Sequence, residues 1–567
     1  MKIRKLIEIT INQKRLNVVF FLISTFSVLS LNIYPLYVLN SKNYPGRTYA
    51  LIHNNVQDFY FYQAIMNEGA NGANLIYDPY TTEPHRSSII FSYFTWLGKF
   101  SRLTNIPYVY TYHAVRILGS LLFFVSAYFL IHKLRLPHPN LAFLFFLYAA
   151  PLFTLRNLGD KIDKIPFMYW WTAMDPVRRS AYLPHHMIGG FLLILSVILI
   201  LRFFSSGKLK FIIITIFLSP LLAFIHTPSL FILLIVLPSA IIIYLISQFL
   251  QNNVKFLWNL RFILLLTFVY WIISLLFLTF MVSQTNKGFP WNQYLVWERN
   301  LQYPLNKELI GAFGILFPFA LIGILSSLIS SKFNRIFVAV WFSVPLLLIP
   351  LAPKLSISNI RLIQGLPYFT LAVLAALGLD FLFSLGKVIV NKFFKIPKTL
   401  VAFQRLPIKL ISLLFYSLIG LLFLIHVFPS IVWSIKDQIR EYSPIFGNTY
   451  LDNRLHQAFN FINKNYPNKT PILSTFYTGN YLPVYAHTIS FIGHSGYTNN
   501  LSQKEPLVFK FYENKMTDNE AKSFLMDNKI TLVFQGPEEK PIYPQYLYPN
   551  ILKPVYDKEE ATIYVLK

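Results

Sequence analysis

The sequence predicts a polytopic α-helical membrane protein of about eleven transmembrane helices, followed by a C-terminal α/β domain. Composition is the first reason, since 55% of the 567 residues are hydrophobic and 13% are charged, whereas soluble domains carry about 25% charged residues. The second reason is a succession of apolar runs, each of about 17–25 residues and long enough to cross a bilayer. The third is that the basic excess is confined to the apolar part of the chain.

The predicted spans are apolar runs separated by short polar segments. A basic segment, MKIRKLIEITINQKR, leads directly into the first run, and we expect no cleaved signal peptide there. The runs lie near residues 16–39, 109–132, 139–155, 184–202, 209–225, 228–249, 261–283, 308–330, 335–352, 365–386 and 410–434. Two domains follow from this pattern: a transmembrane domain at 1–434 with a long outer loop at 40–108, and a second domain at 435–567.

The distribution of charge predicts the orientation of the chain. Residues 1–434 contain 36 Lys and Arg against 11 acidic residues, while residues 435–567 contain 14 against 13. If the N-terminus is cytoplasmic, the short inner connections are the basic ones, as the positive-inside rule requires. An odd number of spans then places the C-terminal domain outside the plasma membrane. The basic charge is expected to face membrane lipids, so nucleic acid is not expected as a partner.

The C-terminal part has the local patterns of a mixed α/β domain. Residues 456–466 and 520–529 have helical apolar spacing, whereas TPILSTF, ITLVFQG and ATIYVLK read as strands. The chain contains no cysteine, so neither disulfides nor thiol chemistry contribute.

Acidic residues are concentrated in the predicted outer loops, which suggests a site at the outer membrane face. Nine of the eleven acids in residues 1–434 fall there, namely Asp58, Glu68, Asp78, Glu83, Asp160, Asp163, Asp175, Glu298 and Glu308. Acids contribute little to membrane orientation, so their clustering needs another cause.

Asp58 is the leading candidate for a catalytic base. The apolar residues that follow it fall on one face of a short amphipathic helix, which we expect to lie on the membrane surface and to stop near Gly69. In the first helical turn the helix dipole favours an ionised carboxylate. Gln57 and Tyr62 could orient an acceptor. The alternative is that Asp58 only caps the helix; Glu83 and Asp175 are the reserve candidates for the base.

The same loop holds the weak candidates for a metal site. His53, Glu83 and His85 could bind a divalent ion, although the spacing of metal-binding motifs is missing. Ordinary loop polarity is the simpler interpretation, and no cofactor is firmly predicted. Arg86, which follows directly, is a candidate for substrate binding.

Cationic residues near the outer surface are candidates for binding a phosphate. Arg178 and Arg179 precede the fourth span, His185 and His186 begin it, and Arg361 lies at the outer end of the tenth. Arginine suits phosphate because its guanidinium donates bidentate hydrogen bonds and keeps its charge. The alternative is a belt of arginines that extend to the membrane interface.

In order along the chain, QDFYFYQAIMNEG, NLIYDPYTTE, RRSAYLPHHMIGG and IRLIQGLPYFTLAVLAALGL resemble stretches of the GT-C superfamily of polyprenyl-phosphate-sugar-dependent glycosyltransferases. The likeness is to the bacterial protein-mannosyltransferase-like group. HQAFNFINKNYPNKTPILSTFYTGNYLPVYAHTISFIGHSG is similar to the outer domains of such proteins. Many members have paired acids in the first loop, whereas Asp58 stands between Gln57 and Phe59.

The resemblance implies a GT-C-like fold and an integral-membrane hexosyltransferase of the cell envelope. Such an enzyme moves a sugar from a polyprenyl-phosphate donor to an acceptor hydroxyl on the outer face, with inversion. Asp58 would be the base, and Arg361 with Arg178 or Arg179 would stabilise the leaving phosphate. The acceptor stays open between a glycan, a lipid and a protein.

Three other functions remain in competition. A lipid-linked oligosaccharide ligase or polymerase would also combine outer Arg and His residues with a lipid phosphate. A membrane transporter would have ionisable residues at mid-membrane depth and repeated halves, which the sequence lacks. A non-catalytic protein whose outer domain binds a partner would tolerate neutralisation of the first-loop acids.

Overall fold

The computed structural model describes residues 2–159, 161–251, 254–365, 367–393, 401–444 and 448–567. The chain forms two compact units that alternate along the sequence. The first unit, here the helical unit, contains residues 1–33, 116–278 and 298–437. The second, the mixed unit, contains residues 34–115, 279–297 and 438–567. The long first loop thus belongs to the same unit as the C-terminal segment, while the predicted division at residue 434 stays a prediction.

Helices dominate the described chain. They are α1 (Lys2–Ser41), α2 (Val56–Ala70), α3 (Tyr93–Thr104), α4 (Tyr108–Lys133), α5 (Pro139–Tyr148), α6 (Pro176–Ser180), α7 (Pro184–Ser206), α8 (Leu209–Leu250), α9 (Val254–Ser283), α10 (Gln293–Asn300), α11 (Leu305–Ala312), α12 (Phe317–Ile329), α13 (Phe333–Leu348), α14 (Asn359–Leu362), α15 (Pro367–Phe393), α16 (Val401–Glu441), α17 (Leu455–Asn465), α18 (Phe476–Tyr485), α19 (Leu501–Tyr512) and α20 (Asp518–Asp527). The strands are β1 (Arg47–Tyr49), β2 (Phe153–Leu158), β3 (Lys161–Pro166), β4 (Tyr450–Asp452), β5 (Pro471–Leu473), β6 (Ile489–Ser490), β7 (Leu532–Gln535), β8 (Leu552–Asp557) and β9 (Thr562–Leu566).

The predicted class of polytopic helical membrane protein is confirmed, but the number of spans differs from eleven. Within the described ranges, eight helices are long and apolar enough to cross a bilayer, and α11 with α12, bent by 92°, would make a ninth. The expected spans at 209–225 and 228–249 form one helix, α8, which is interrupted at His226 (φ −149°, ψ 77°). Pro228 removes a backbone donor at this point and favours the break.

The span predicted at 139–155 is wrong. Its helix, α5, ends at Tyr148 after 10 residues, which is too short to cross a bilayer. The chain then continues as an antiparallel hairpin of β2 and β3. Pro151 follows the end of the helix, where a proline cannot continue it.

Glycines allow the closest helix contacts in the helical unit. A Cβ on Gly323 of α12 would lie 1.9 Å from the carbonyl oxygen of Leu374 in α15, and one on Gly378 would lie 1.9 Å from that of Phe319. Small residues at such crossings let two backbones approach, as is typical of helices in membranes.

The mixed unit confirms the predicted C-terminal α/β domain. Its five-stranded sheet has the order β6-β5-β7-β9-β8, in which β6, β5 and β7 are parallel and β9 and β8 antiparallel. The two predicted helices are α17 and α20, and the three predicted strands are β5, β7 and β9. A second, two-stranded sheet joins β1 of the first loop to β4 of the C-terminal segment.

The helix α2 is buried instead of amphipathic. Eleven of its 15 residues are buried, including consecutive aromatic residues at Phe59, Tyr60, Phe61 and Tyr62. The helix continues one residue beyond Gly69, whose absent side chain leaves room for the backbone of Thr95 in α3. Because even polar residues such as Gln63 and Asn67 are buried, α2 packs within the protein on most of its surface, and the expected amphipathic pattern is wrong; its position at the membrane surface stays a prediction.

Candidate active site

The carboxylate of Asp58 is not the cap of α2. The N-cap is Asn55, whose side-chain oxygen accepts hydrogen bonds from the backbone N–H groups of Gln57 (2.9 Å) and Asp58 (3.2 Å). The side chain of Asp58 is 39% exposed in the first helical turn. A carboxylate at this position is favoured by the helix dipole, and it is open to a substrate.

An imidazole from the C-terminal segment faces this carboxylate. Nε2 of His494 lies 3.5 Å from Oδ1 of Asp58, and the His494 side chain is 7% exposed. The backbone N–H of Gly496 donates to Nδ1 of His494 (3.0 Å). Because Nδ1 accepts this bond, the neutral ring carries its proton on Nε2, the atom that points to Asp58.

Gln57 ties the same loop to the start of α2. Its side-chain oxygen accepts a hydrogen bond from the backbone N–H of Ser495 (2.9 Å). Tyr62, which was expected to orient an acceptor, is buried instead and stacks on Phe94 with 4.2 Å between ring centroids. The polar groups described beside Asp58 are therefore the half-buried Gln57 and the exposed backbone at Ser495 and Gly496.

A second polar cluster in the mixed unit contains Glu83, the reserve candidate for the base. Oε1 of Glu83 lies 2.7 Å from the ammonium of Lys504, and Thr81 donates to its other oxygen. Partial burial alone raises the pKa of Glu83, but Lys504 and Thr81 outweigh it and hold the pKa below its ordinary value. Burial lowers the pKa of Lys504, against the opposing effect of Glu83. A carboxylate paired in this way is a poor proton acceptor.

Asp78 is fully buried beside this pair. One of its oxygens accepts the backbone N–H of Tyr80 (3.0 Å), and the other has no hydrogen-bond partner among the described residues. Burial raises the pKa of Asp78 well above its ordinary value, and neither the Tyr80 bond nor Lys504 cancels this effect.

The weak metal candidates do not converge. In the described part of the chain no three His, Cys, Asp or Glu side chains are grouped so that they could hold a metal ion, and the structure does not bring His53, Glu83 and His85 together as such a group. Nε2 of His85 accepts the backbone N–H of Asp78 (2.9 Å), while Nδ1 lies 2.9 Å from the carbonyl oxygen of Glu83. Both ring nitrogens are therefore occupied, and burial lowers the pKa of His85.

Arg86 and His53 occupy different environments. The side chain of Arg86 is exposed, and its carbonyl oxygen accepts a hydrogen bond from the indole of Trp291 (2.6 Å). His53 is 4% exposed and packs edge-on against His113, with ring centroids 6.1 Å apart.

In the helical unit, the candidate Arg361 lies in α14 and is paired with an acid. Its Nε donates to Glu298, whose other oxygen accepts the backbone N–H of Ser358 (2.8 Å). Arg361 also donates to the side chain of Gln364 (3.1 Å). An anionic ligand would therefore have to share Arg361 with Glu298.

Arg178 and Arg179 have different partners, although they are neighbours. Arg178 forms an ion pair with Asp437 at 2.8 Å. Arg179 donates to the carbonyl oxygens of Met174 (3.2 Å) and Ala149, and its guanidinium lies 3.9 Å from the ring centroid of Tyr368. Burial lowers the pKa of Arg179.

Asp175 is the N-cap of the short helix that carries both arginines. One oxygen accepts the backbone N–H groups of Val177 (2.8 Å) and Arg178 (2.9 Å), and the residue is 7% exposed. The structure thus gives this reserve candidate a capping role. Asp160, another outer-loop acid, lies outside the described residues.

Three histidines meet where α7 packs against the break in α8. The ring centroids of His186 and His226 are 4.3 Å apart, and those of His185 and His186 are 4.6 Å apart. Gly189 permits this contact, because a Cβ there would lie 2.4 Å from Cβ of His226. A cavity of about 70 Å³ adjoins the cluster and is lined by Arg179, His186 and His226, among others.

Arg116 falls within the second predicted span, at 109–132. Its contacts include neutral hydrogen-bond acceptors. It is 1% exposed and donates to the side chain of Asn32 (2.6 Å) and to the carbonyl oxygen of Ala181. Asn32 in turn donates to the carbonyl oxygen of Val177 (2.7 Å). These bonds join α1, α4 and the segment before α7.

The described chain has the apolar helices of a multi-pass membrane protein, and its fold is similar to that of solved structures of an oligosaccharyltransferase. The Archaeoglobus fulgidus oligosaccharyltransferase tethered with an acceptor peptide matches 98% of this chain and 74% of its own, with a TM-score of 0.54 and 13% identity. The Archaeoglobus fulgidus oligosaccharyltransferase AglB, in complex with an inhibitory peptide and a dolichol-phosphate, matches 93% of this chain and 70% of its own (TM-score 0.51, 14% identity).

ArnT from Cupriavidus metallidurans bound to undecaprenyl phosphate covers 98% of both chains, with a TM-score of 0.47 and 13% identity. No family model and no curated protein matches the sequence. At these identities the likeness defines the fold, and the chemistry has to be argued from this chain's own residues.

Proposed function

We propose that this protein is a glycosyltransferase that moves a sugar from a polyprenyl-phosphate donor to an acceptor hydroxyl, with inversion at the anomeric carbon. The observation that carries the proposal is the environment of the Asp58 carboxylate. Its carboxylate is exposed at a helix N-terminus, is relieved of capping by Asn55, and faces His494. Among the described residues, no backbone N–H group donates to this carboxylate as a cap would, so Asp58 is available to accept a proton.

The reaction follows from the chemistry of the two substrates. Asp58 takes the proton from the acceptor hydroxyl while the acceptor oxygen forms a bond to the anomeric carbon. The bond between that carbon and the phosphate oxygen breaks, and polyprenyl phosphate leaves with the electron pair. Attack from the side opposite the leaving group inverts the configuration. The proton ends on Asp58 and passes to solvent through its exposed oxygen.

The leaving phosphate needs cationic or donor groups, and we assign this role first to Arg179. It lines a cavity together with His186 and His226, and its described hydrogen bonds go to backbone carbonyl groups. Because a guanidinium has five N–H donors, Arg179 can bind a phosphate without losing an ion pair. Arg361 and Arg178 are second candidates, since each already pairs with an acid.

The setting of the reaction is also part of the proposal. The cell membrane carries the protein, with the N-terminus in the cytoplasm and the C-terminal segment outside. The oligosaccharyltransferase of the same fold was solved with a dolichol-phosphate, which supports a donor carried on a polyprenyl phosphate. A hexose such as mannose is the proposed sugar, and the acceptor is a glycan, a lipid or a protein.

The test is release of polyprenyl phosphate from a panel of polyprenyl-phosphate hexoses by the purified full-length protein. Asp58→Asn keeps the size of the side chain but cannot accept the proton, so turnover should fall by about 10²–10⁴-fold. Glu68→Gln is the matched control, because Glu68 is an acid of the same helix that pairs with Lys469. Glu68→Gln should keep turnover within a few-fold of the wild type.

Two results would count against the proposal. Normal turnover in Asp58→Asn would remove Asp58 as the base. Transfer from lipid pyrophosphate-linked oligosaccharides, with none from monophosphate sugars, would replace the proposal with the ligase or polymerase.

A further inference from the structure

We infer that His494 is a positioning residue for Asp58: its Nε2–H group holds and polarises the carboxylate that acts as the base. The inference rests on the proposed function for its catalytic meaning, while the contact itself stands on the geometry of the mixed unit. It assigns a role to a residue that lies more than 400 positions after Asp58 in the chain.

The ring of His494 packs against three aromatic rings. Its centroid lies 4.6 Å from that of Tyr497, 5.5 Å from that of Tyr80 and 5.7 Å from that of Phe61. The backbone before it is fixed as well, because the hydroxyl oxygen of Thr498 accepts the N–H groups of Gly493 (3.1 Å) and His494 (3.2 Å). A ring held in this way has little freedom to turn Nε2 away from Asp58.

The backbone of the loop determines which ring nitrogen of His494 carries the proton. Gly496 N–H donates to Nδ1, so a proton on Nδ1 would place two donors against each other. The neutral ring therefore presents Nε2–H to Asp58, at a separation of 3.5 Å. This distance is longer than a full hydrogen bond, and such contacts commonly tighten when substrate binds. Nε2 is buried and makes no hydrogen bond of full geometry among the described residues, so Asp58 at 3.5 Å is the acceptor that it faces.

The contact with His494 determines which oxygen of Asp58 is available to the acceptor. When Nε2–H engages Oδ1, the other oxygen of Asp58 is left for the acceptor hydroxyl. A donor on one oxygen also limits rotation of the carboxylate, which keeps the other oxygen oriented towards the acceptor. The titratable groups that face His494 are Asp58 from α2, Tyr80 from the first loop and Tyr497 from its own loop.

The first experiment measures kinetics. His494→Phe keeps a ring but removes the donor, and kcat should fall about 10- to 100-fold, the range seen for outer partners of metal ligands, with KM nearly unchanged. His494→Gln can place an amide N–H near the position of Nε2 and should recover most of kcat. Loss of kcat in His494→Phe with recovery in His494→Gln is the pattern that distinguishes a positioning donor from a ring that only fills space.

Two controls separate positioning from structure. In an Asp58→Asn background, His494→Phe should cause no further loss, because its effect passes through Asp58. His456→Phe replaces an exposed imidazole on α17 and should leave kcat unchanged. If His494→Phe fails to fold, His494→Gln and the Asp58→Asn measurement below still decide the matter.

The second experiment needs no activity. In full-length protein labelled with ¹⁵N-histidine, the ring nitrogens of His494 are assigned by their loss in His494→Gln. The neutral ring should carry its proton on Nε2, because Nδ1 accepts the N–H of Gly496, and the Nε2 resonance should shift in Asp58→Asn, which changes the group facing it. A proton on Nδ1, or an Nε2 resonance that does not change in Asp58→Asn, would overturn the inference even in an active enzyme. A shifted resonance with no transfer from any polyprenyl-phosphate sugar would instead overturn the proposed function and leave the contact standing.

Discussion

The carboxyl groups of the first loop have different roles because each side chain has a different degree of burial and a different neighbour. Asp58 is exposed and faces an imidazole, Glu83 is bound to an ammonium, and Asp78 is buried with one oxygen unpartnered in the described structure. The pKa of Asp78 is raised and that of Glu83 is lowered, because desolvation opposes charge and a nearby cation favours it.

Asp78 leads to a prediction about stability and pH. Its folded-state pKa is raised by burial, so the stability associated with it is fully present below its unfolded pKa near 3.8 and is lost as pH rises through the folded value. Asp78→Asn resembles the protonated acid and should raise the melting temperature at pH 8 but not near pH 4. Thermal unfolding of the purified protein at both pH values measures this. An equal effect at the two values would show that Asp78 is not protonated in the folded protein.

At the scale of elements, the contact between α2 and α3 depends on two glycines that face the opposite backbone. A Cβ on Gly98 would lie 1.8 Å from the carbonyl oxygen of Met66, and one on Gly69 would lie 2.2 Å from that of Thr95. Neither neighbour can move away without displacing a helix, because both are backbone atoms.

Gly98→Ala should therefore separate α2 from α3 and destabilise the protein by about 1–3 kcal/mol, the usual effect of overpacking. Gly420→Ala in α16 is the control, since a Cβ there meets no atom within 4 Å and alanine favours a helix. Denaturant or thermal unfolding followed by tryptophan fluorescence compares the two variants. Equal stability in both would contradict the packing argument.

Elements that form because of the pattern of neighbouring residues could be predicted from the sequence, whereas features that depend on distant contacts could not. The helices α17 and α20 and the strands β5, β7 and β9 have clear periodicity, and all five were predicted. The predicted bounds of α2 were also close to those of the structure. Its burial was not predicted, although Tyr60 and Phe61 interrupt the polar face that an amphipathic helix requires.

The candidate site was only partly predictable for the same reason. Asp58 stood out as an acid in a loop of an apolar chain, and Asp175 was visible as an acid before Pro176. His494 lies in a single stretch, FIGHSG, that gives no local sign of chemistry. Its role depends on a contact with α2 that crosses most of the chain. Local patterns cannot reveal such a contact.

At the scale of the whole molecule, membrane orientation remains the assumption on which the accessibility of the donor depends. We expect the N-terminus in the cytoplasm and residues 435–567 outside. Protease added to intact cells should remove residues 435–567 and leave the connection at 387–409 intact. Cleavage at 387–409 with protection of residues 435–567 would reverse the orientation.

The pairing of β1 with β4 has a consequence for biosynthesis. Arg47 bonds to Tyr450, 403 residues further along the chain, so at about 5–20 residues per second the first loop is made roughly 20–80 s before its partner strand. During that interval the aromatic residues of α2 lack the C-terminal segment that covers them. A chain that stops after α16 would contain Asp58 and Glu83 and still lack β4, His494 and Lys504. Nonsense variants between α16 and β4 should therefore behave as complete losses of function and as substrates for quality control.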